Sequence, residues 1–272
     1  MKAYNTADKQ LHVLSQIITK ANRTFVPAVE DDSHTNLSFD SLANRIIGRW
    51  IYSPNGSIIL TLDLSSLNFE WLDASYNVLL SIPSVCKTIA EIEQGISRGL
   101  SKLGLKPEGF SDKLHYDIPE YTISKELIPS IGVVEFNDWR YYRKLANEAS
   151  ALALEKIGVE GEVRVWPHHF DTGMYAVAEN GVGIGFGLAM EDSMVGAPYF
   201  YIAGHPTNGT SINYDQLPDM KTGRWIIEEH WKGAVLPLSD LDSENEMDAN
   251  KSLSLFLDDS ISWYGTKVQP SS

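Results

Sequence analysis

Residues 170–190 read Phe170-Asp171-Thr172-Gly173-Met174-Tyr175-Ala176-Val177-Ala178-Glu179-Asn180-Gly181-Val182-Gly183-Ile184-Gly185-Phe186-Gly187-Leu188-Ala189-Met190. Asn-Gly between two apolar runs is the strongest short hairpin signal, because both residues of a type I′ turn need positive φ. A two-residue turn there predicts an antiparallel hairpin of 170–178 with 182–190. It pairs Ala178 with Gly183, Val177 with Ile184, Ala176 with Gly185, Tyr175 with Phe186, Met174 with Gly187 and Asp171 with Met190. One face then carries Tyr175, Val177, Ile184, Phe186 and Leu188 and turns to the core. The other carries Ala176, Ala178, Gly183, Gly185 and Gly187, almost without side chains. Glycine weakens a strand, so three at period two imply something lying close against the backbone. A flat ligand would suit, as would a helix over 137–157 with its small residues Ala146, Ala149 and Ala153.

The same pattern extends outward. Strand-like runs lie at 45–53, 57–64, 67–73 and 77–82, then at 162–166, 198–203, 224–229 and 233–236. Residues 27–44 have no period and read as a loop. Apolar stripes at helical spacing predict helices over 7–22, 84–103, 138–157 and 249–264. Asn5 or Thr6, Ser84, and Asn137 or Asp138 are the expected caps, and Gly104 and Gly158 the expected stops. Adjacent short strands that do not alternate with helices predict an α+β fold, mainly antiparallel sheet with helices packed on it. The order helix, strands, helix occurs twice, in 1–104 and 137–272, joined by 105–136. Leu105, Phe110 and Ile118 in the joining segment do not suit a free linker, so 1–272 is expected to form a single compact unit.

Charge narrows the partners. The chain has 22 Lys and Arg against 36 Asp and Glu, a net charge of −14. That field repels a phosphate backbone, so no nucleic acid is expected as a partner. No apolar run reaches the roughly 18 residues of a membrane span, and no secretory signal is visible at the N-terminus. A cytoplasmic protein without a membrane partner is expected. The single cysteine, Cys86, permits no internal disulfide and excludes a cysteine-only zinc site. Residues 239–259 carry Asp240, Asp242, Glu244, Glu246, Asp248, Asp258 and Asp259 against Lys251. They read as a solvated loop entering a helix N-terminus, where carboxylates suit the dipole, or as a docking surface for a basic partner.

Chemistry concentrates around Val165-Trp166-Pro167-His168-His169-Phe170-Asp171. His169 and Asp171 are two apart, so on a strand they share a face. Such a pair is a candidate base with its orienter, or a pair of metal ligands with His205 as a third. No cofactor is named by any motif: the chain lacks H-E-x-x-H, G-x-S-x-G, a P-loop and a G-x-G-x-x-G opening a helix. The candidate ligand face is Gly183, Gly185, Gly187 and Tyr201.

Trp166-Pro167-His168-His169-Phe170-Asp171, the glycine-rich strand and Pro198-Tyr199-Phe200-Tyr201 together resemble an uncharacterised bacterial family. Its members share W-P-x-H-F-D and P-Y-x-Y elements, most convincingly from about residue 137 onward. Where they carry S-P-G-D, this chain has Glu191-Asp192-Ser193. The resemblance implies the architecture and points at His169, Phe170 and Asp171, without naming a reaction. Two functions are therefore expected as alternatives. One is a small-ligand- or partner-binding protein without a catalytic signature. The other is a metal-dependent hydrolase built on His169, Asp171 and His205, whose metal-bound water would be the nucleophile.

Overall fold

The computed structural model describes residues 1–207, 210–241, 246–266 and 268–270. The fold is α+β, with two main antiparallel sheets and a small two-stranded one. The chain divides into two compact units. One holds Lys2–Tyr141 with Arg164–Phe170, and the other holds Met1, Tyr142–Val163 and Asp171–Ser272. The segment 105–136, expected as a joint between halves, lies inside the first of these.

In the N-terminal unit, helix α1 (Lys2–Phe25) is buried on nearly every side. Leu11, Leu14, Ile17, Ile18 and Ala21 form the expected apolar stripe. A second stripe at the same spacing, Asp8, His12, Ser15, Thr19 and Asn22, is polar and equally buried. Burial of polar groups is tolerated when each finds a partner. The Ser15 and Thr19 hydroxyls donate to the His12 and Ser15 carbonyls at 2.7 and 3.2 Å. Asn22 Nδ2 donates to Thr35 O and Asn36 O, while its Oδ1 accepts from the Arg49 N–H at 2.9 Å. The helix starts earlier than its apolar period does, so Thr6 is no cap; its hydroxyl donates to Lys2 O within the helix.

Six strands follow: β1 (Ser38–Asp40), β2 (Arg45–Ile47), β3 (Ile51–Ser53), β4 (Gly56–Asp63), β5 (Asn68–Asp73) and β6 (Val78–Pro83). They pair in the order β1-β2-β4-β5-β6, with β3 on β4. β1 falls in the stretch expected as a loop, which is too short there to show a period. Helix α2 (Ile89–Leu100) is capped by Thr88, not Ser84, through a reciprocal capping box with Glu91. The Ser84 hydroxyl instead donates to Leu67 O at 2.6 Å. Glycines let α2 approach β6: a Cβ on Gly99 would meet Leu80 Cδ2 at 2.1 Å. Gly104, at φ +76°, closes the turn after α2 as expected.

Helix α3 (Val133–Ile157) begins before the expected Asp138 and ends at Gly158, φ +78°. Strand β7 (Arg164–Trp166) belongs to the N-terminal unit, where Val165 bridges Leu37. The C-terminal unit holds β8 (Asp171–Val177), β9 (Val182–Ala189), β10 (Tyr199–Pro206), β11 (Thr210–Ile212), β12 (Arg224–Ile227) and β13 (Lys232–Pro237). Helix α4 (Glu246–Thr266) and β14 (Val268–Pro270) complete it, and β14 pairs with β11. The main sheet of this unit runs β12-β13-β10-β9-β8.

The hairpin β8–β9 forms where expected, one residue out of the expected register. Val177 faces Gly183, Ala176 faces Ile184, Tyr175 faces Gly185, Met174 faces Phe186 and Gly173 faces Gly187. The turn has three residues, not two. Ala178 N–H bonds Val182 O and Gly181 N–H bonds Ala178 O, each at 2.9 Å. Gly181 has φ +80° and Asn180 has no positive φ, which fits a type I turn followed by a left-handed bulge residue and excludes type I′. A one-residue slip exchanges the faces of one strand relative to its partner. Thr172, Met174, Ala176, Ile184, Phe186 and Leu188 therefore share the core side. Gly173, Tyr175 and Val177 join Gly183, Gly185 and Gly187 on the other.

The helices cover the core side. Arg143 of α3 donates to Thr172 Oγ1 at 2.7 Å, and Tyr264 of α4 lies where a Cβ on Gly204 would be, 2.4 Å from its ring. The helix expected over the glycine face thus packs on the opposite one. Of the acidic segment, residues 242–245 lie outside the described residues. Of the rest, Asp240 lies 3.9 Å from Arg224, Glu246 pairs with Lys144, Asp258 with Lys156 at 2.5 Å, and Asp259 with the N–H of Lys221 at 2.8 Å.

The tightest point of the sheet is where β8 and β9 face each other glycine to glycine. A Cβ on Gly173 would stand 2.1 Å from Phe186 O, whereas one on Gly185 would meet only His205 Nε2, at 3.6 Å. Gly173→Ala is expected to lose about 1–3 kcal/mol, the range for forcing extra atoms into a packed site. Gly185→Ala should stay within about 0.5 kcal/mol of the parent. Urea denaturation midpoints of the two variants check this.

Candidate functional site

The glycine track is not bare. Side chains of neighbouring strands fold across it. A Cβ on Gly183 would strike the Tyr175 hydroxyl at 2.1 Å, one on Gly187 would meet Tyr201 Cε1 at 3.2 Å, and His205 Nε2 lies over Gly185. Glycine in these positions makes room for rings laid flat on the sheet, the arrangement called aromatic rescue. The helix expected there is not the cover. Tyr175 and His205 sit with ring centroids 6.0 Å apart at 53°. Tyr175 and Val177 are each 47% exposed, and the His205 ring also reaches solvent. Partial burial lowers the His205 pKa from the usual histidine range, so the ring is neutral at neutral pH.

Toward the other end of the face, two tyrosines each meet a carboxylate. Tyr199 and Tyr201 are two apart on β10 and so project to the same side. Tyr201 donates to Asp171 Oδ2 at 2.5 Å, and Tyr199 donates to Asp192 Oδ2 at 2.7 Å. Asp192 Oδ1 also accepts the N–H groups of Met194 and Val195, which fixes the turn that presents it. Burial, and then the Asp171 charge, push the Tyr201 hydroxyl far above its ordinary pKa; burial and the Asp192 bond do the same to Tyr199. Both phenols are neutral donors, and each points its O–H at a carboxylate oxygen. The P-Y-x-Y element thus clamps two aspartates.

Asp171 does not sit on the core face expected of it, and the strand expected to carry His169 beside it is a turn. Residues 167–170 turn back, with Phe170 N–H bonding Trp166 O at 2.7 Å and Phe170 at φ +57°, so the period of two does not hold across them. His168 and His169 are exposed, their rings 4.2 Å apart. Phe170 is fully buried and stacks on His12 at 5.2 Å and 10°. His12 Nε2 faces Pro167 O at 3.0 Å, an acceptor, so that nitrogen carries the proton; Nδ1 then accepts from the Tyr121 hydroxyl at 3.1 Å. Gln16 Nε2 donates to the same Pro167 carbonyl at 2.7 Å. Trp139 Nε1 donates to Asp8 Oδ1 at 2.8 Å nearby. The W-P-x-H-F part of the motif is a strapped turn.

Asp171 and His205 are not brought together. Asp171 precedes the Thr172–Leu188 pair, and His205 faces Gly183. They are thus separated along β9 by most of its length, about 20 Å at the rise of a strand. Among the described residues no three His, Cys, Asp or Glu form a group that could hold a metal ion. Tyr201 does meet Gly187, as the candidate ligand face has it, and Gly183 and Gly185 share that face.

Arg143, His12 and Asp8 escaped the sequence reading. Arg143 had a visible signal: it sits between Trp139 and Ala146 on the expected apolar stripe of α3, where a cation needs a reason. His12 and Asp8 were visible only as the polar side of an amphipathic helix.

No family model, curated protein or solved structure matches the chain.

The two tyrosine–aspartate pairs set a pH limit. Phenols whose pKa is raised on folding stabilise fully below the unfolded value near 10 and lose that contribution as pH rises above it. Tyr121 follows the same rule, with burial raising it to about 12. Thermal stability is expected to be flat from neutral pH to about 10 and to fall above it. In Tyr201→Phe the fall should be shallower. A melting-temperature series at alkaline pH checks both.

Proposed function

We propose that the protein binds a flat, uncharged ring, presented by a small molecule or by a partner's side chain, on the outer end of the glycine face. The observation that carries this reading is the pairing of Tyr175 and His205. Both rings are solvent-accessible, they lie over a glycine floor, and they stand on the side of the sheet turned away from α3 and α4. A ring sandwiched against them gains aromatic contact area, while the neutral imidazole offers one donor and one acceptor. Val177 extends the apolar rim. The tyrosine–aspartate pairs brace the inner end, so the site is presented on strands rather than on a loop. The two elements that resemble the bacterial family supply Asp171 and Tyr201 of that brace. A cytoplasmic setting without nucleic-acid partners belongs to the same reading, supported by the net charge of −14 and a lone cysteine.

Indole and benzimidazole serve as probes. Ligand-observed NMR is expected to show saturation transfer to them from the full chain and to lose it in Tyr175→Ala. His205→Ala should weaken it by about tenfold, the scale of one aromatic contact. Transfer that survives both substitutions, or none to either probe, contradicts the reading.

A further inference from the structure

Asn-Gly occurs at 55–56, 180–181 and 208–209, and the last of these lies outside the described residues. The dipeptide has a chemistry of its own. A glycine nitrogen, unhindered by a neighbouring side chain, reaches the Cγ carbonyl of the asparagine before it. The N–Cγ bond forms, the Cγ–Nδ2 bond breaks, and ammonia leaves with the amide proton of the glycine. Water then opens the cyclic imide at one of its two carbonyls. Opening at Cγ gives aspartate. Opening at the main-chain carbonyl gives isoaspartate, with the chain rerouted through the side chain. Nothing is oxidised or reduced, and water is the only reagent. The reaction needs a side-chain amide free to swing over the next peptide.

The fold treats Asn55 and Asn180 differently. Both residues are exposed at hairpin tips. On the nitrogen side they are alike: Gly56 faces Ser53 at the end of the β3–β4 pairing, and Gly181 N–H bonds Ala178 O at 2.9 Å. On the amide side they differ. Asn180 Nδ2 donates to Tyr264 O at 3.2 Å, and its Oδ1 accepts from Val182 N–H at 3.2 Å, so both ends of the amide are held. Thr207 N–H bonds Gly181 O at 3.2 Å and fixes the peptide that follows. The Asn55 side chain makes no hydrogen bond among the described residues. The Ser53 hydroxyl accepts from Asn55 N–H at 3.2 Å and donates to Gly56 O at 2.9 Å, which are main-chain groups. Gly104 passes beside the free amide, where a Cβ would stand 3.3 Å from its Nδ2. Strand β3 has three residues and pairs with β4 alone among the described residues, so this tip opens at little free-energy expense.

We infer that Asn55 is a site of spontaneous modification, converted to isoaspartate and aspartate in the folded protein, while the fold protects Asn180 by holding both ends of its amide. Either product adds a negative charge to the −14 of the chain. Isoaspartate also adds a main-chain atom to a two-residue turn, which sets Ser53 and Gly56 out of register and loosens β3 from β4. The lock on Asn180 keeps the same change out of the β8–β9 hairpin.

Ageing of the full chain at mildly alkaline pH, followed by peptide mapping that resolves asparagine, aspartate and isoaspartate at each position, tests this. In the folded protein Asn55 is expected to convert faster than Asn180 by about tenfold or more, the scale of two hydrogen bonds that must open first. In guanidinium chloride the two rates should converge, because both asparagines precede a glycine and neither amide is then held. Circular dichroism before and after ageing reports the fold. Equal rates at Asn55 and Asn180 in the folded protein overturn the proposal. So does an Asn55 that stays intact in the folded protein while it converts in denaturant. A difference that persists undiminished in denaturant also overturns it, since the cause would then lie in the neighbouring residues and not in the fold.

Discussion

The backbones of Gly173 and Gly187 face each other so closely that neither position has room for a β-carbon. That approach holds the register of the β8–β9 hairpin, and the register decides which side chains of the C-terminal unit are neighbours. Because Gly173 faces Gly187, the even positions of β8 lie with Ile184, Phe186 and Leu188 under the helices. The odd positions, Asp171 and Tyr175 among them, lie with the glycines on the far side. Tyr201, opposite Gly187 on the next strand, then comes within hydrogen-bonding reach of Asp171. Slipped by one residue, the same sequence would place Asp171 on the core side among aliphatic side chains, where a carboxylate is costly without a partner.

The N-terminal unit meets a different constraint. A helix buried all round is ordinarily apolar all round. α1 instead carries a continuous polar stripe inside, and each member has a defined partner: backbone oxygens of its own helix for Ser15 and Thr19, loop backbone for Asn22, a tryptophan for Asp8, and a tyrosine and a turn carbonyl for His12. Such groups orient what they touch. His12 and Gln16 together hold the carbonyl of Pro167, and the stacked Phe170 accepts a left-handed backbone that a bulky residue adopts only when packing imposes it.

Much of the architecture was legible in the sequence. Periodicity marks all four helices and most strands, Gly104 and Gly158 mark stops, and Asn180-Gly181 marks the hairpin. What failed were choices that local pattern leaves open. Asn-Gly serves a two-residue turn and, as here, a three-residue turn with glycine in the bulge position. The two differ by one residue, and that residue inverts the face assignment. Ser84 and Thr88 both suit a cap, and only Thr88 has a glutamate three residues on. The candidate site was half legible. Three glycines at period two do mark a special face, and Tyr201 belongs to it. Its cover could not be read, because the rings come from Tyr175 on the adjacent strand and His205 on the next, and their lean along the strands is a matter of packing. His169 and Asp171 look like partners only if a strand runs through Phe170, and a positive φ at a phenylalanine leaves no trace in sequence.

Interstrand Hα–Hα contacts in the hairpin are the most direct measurement of the register. NOE spectra of the full chain, with Gly173 and Gly187 assigned, should show a strong cross-peak between the α-protons of Gly173 and Gly187. None is expected between Met174 and Gly187. A Met174–Gly187 cross-peak, with Gly173 remote from Gly187, would place the turn at two residues, return Asp171 to the core side, and remove the tyrosine–aspartate brace on which the candidate site rests.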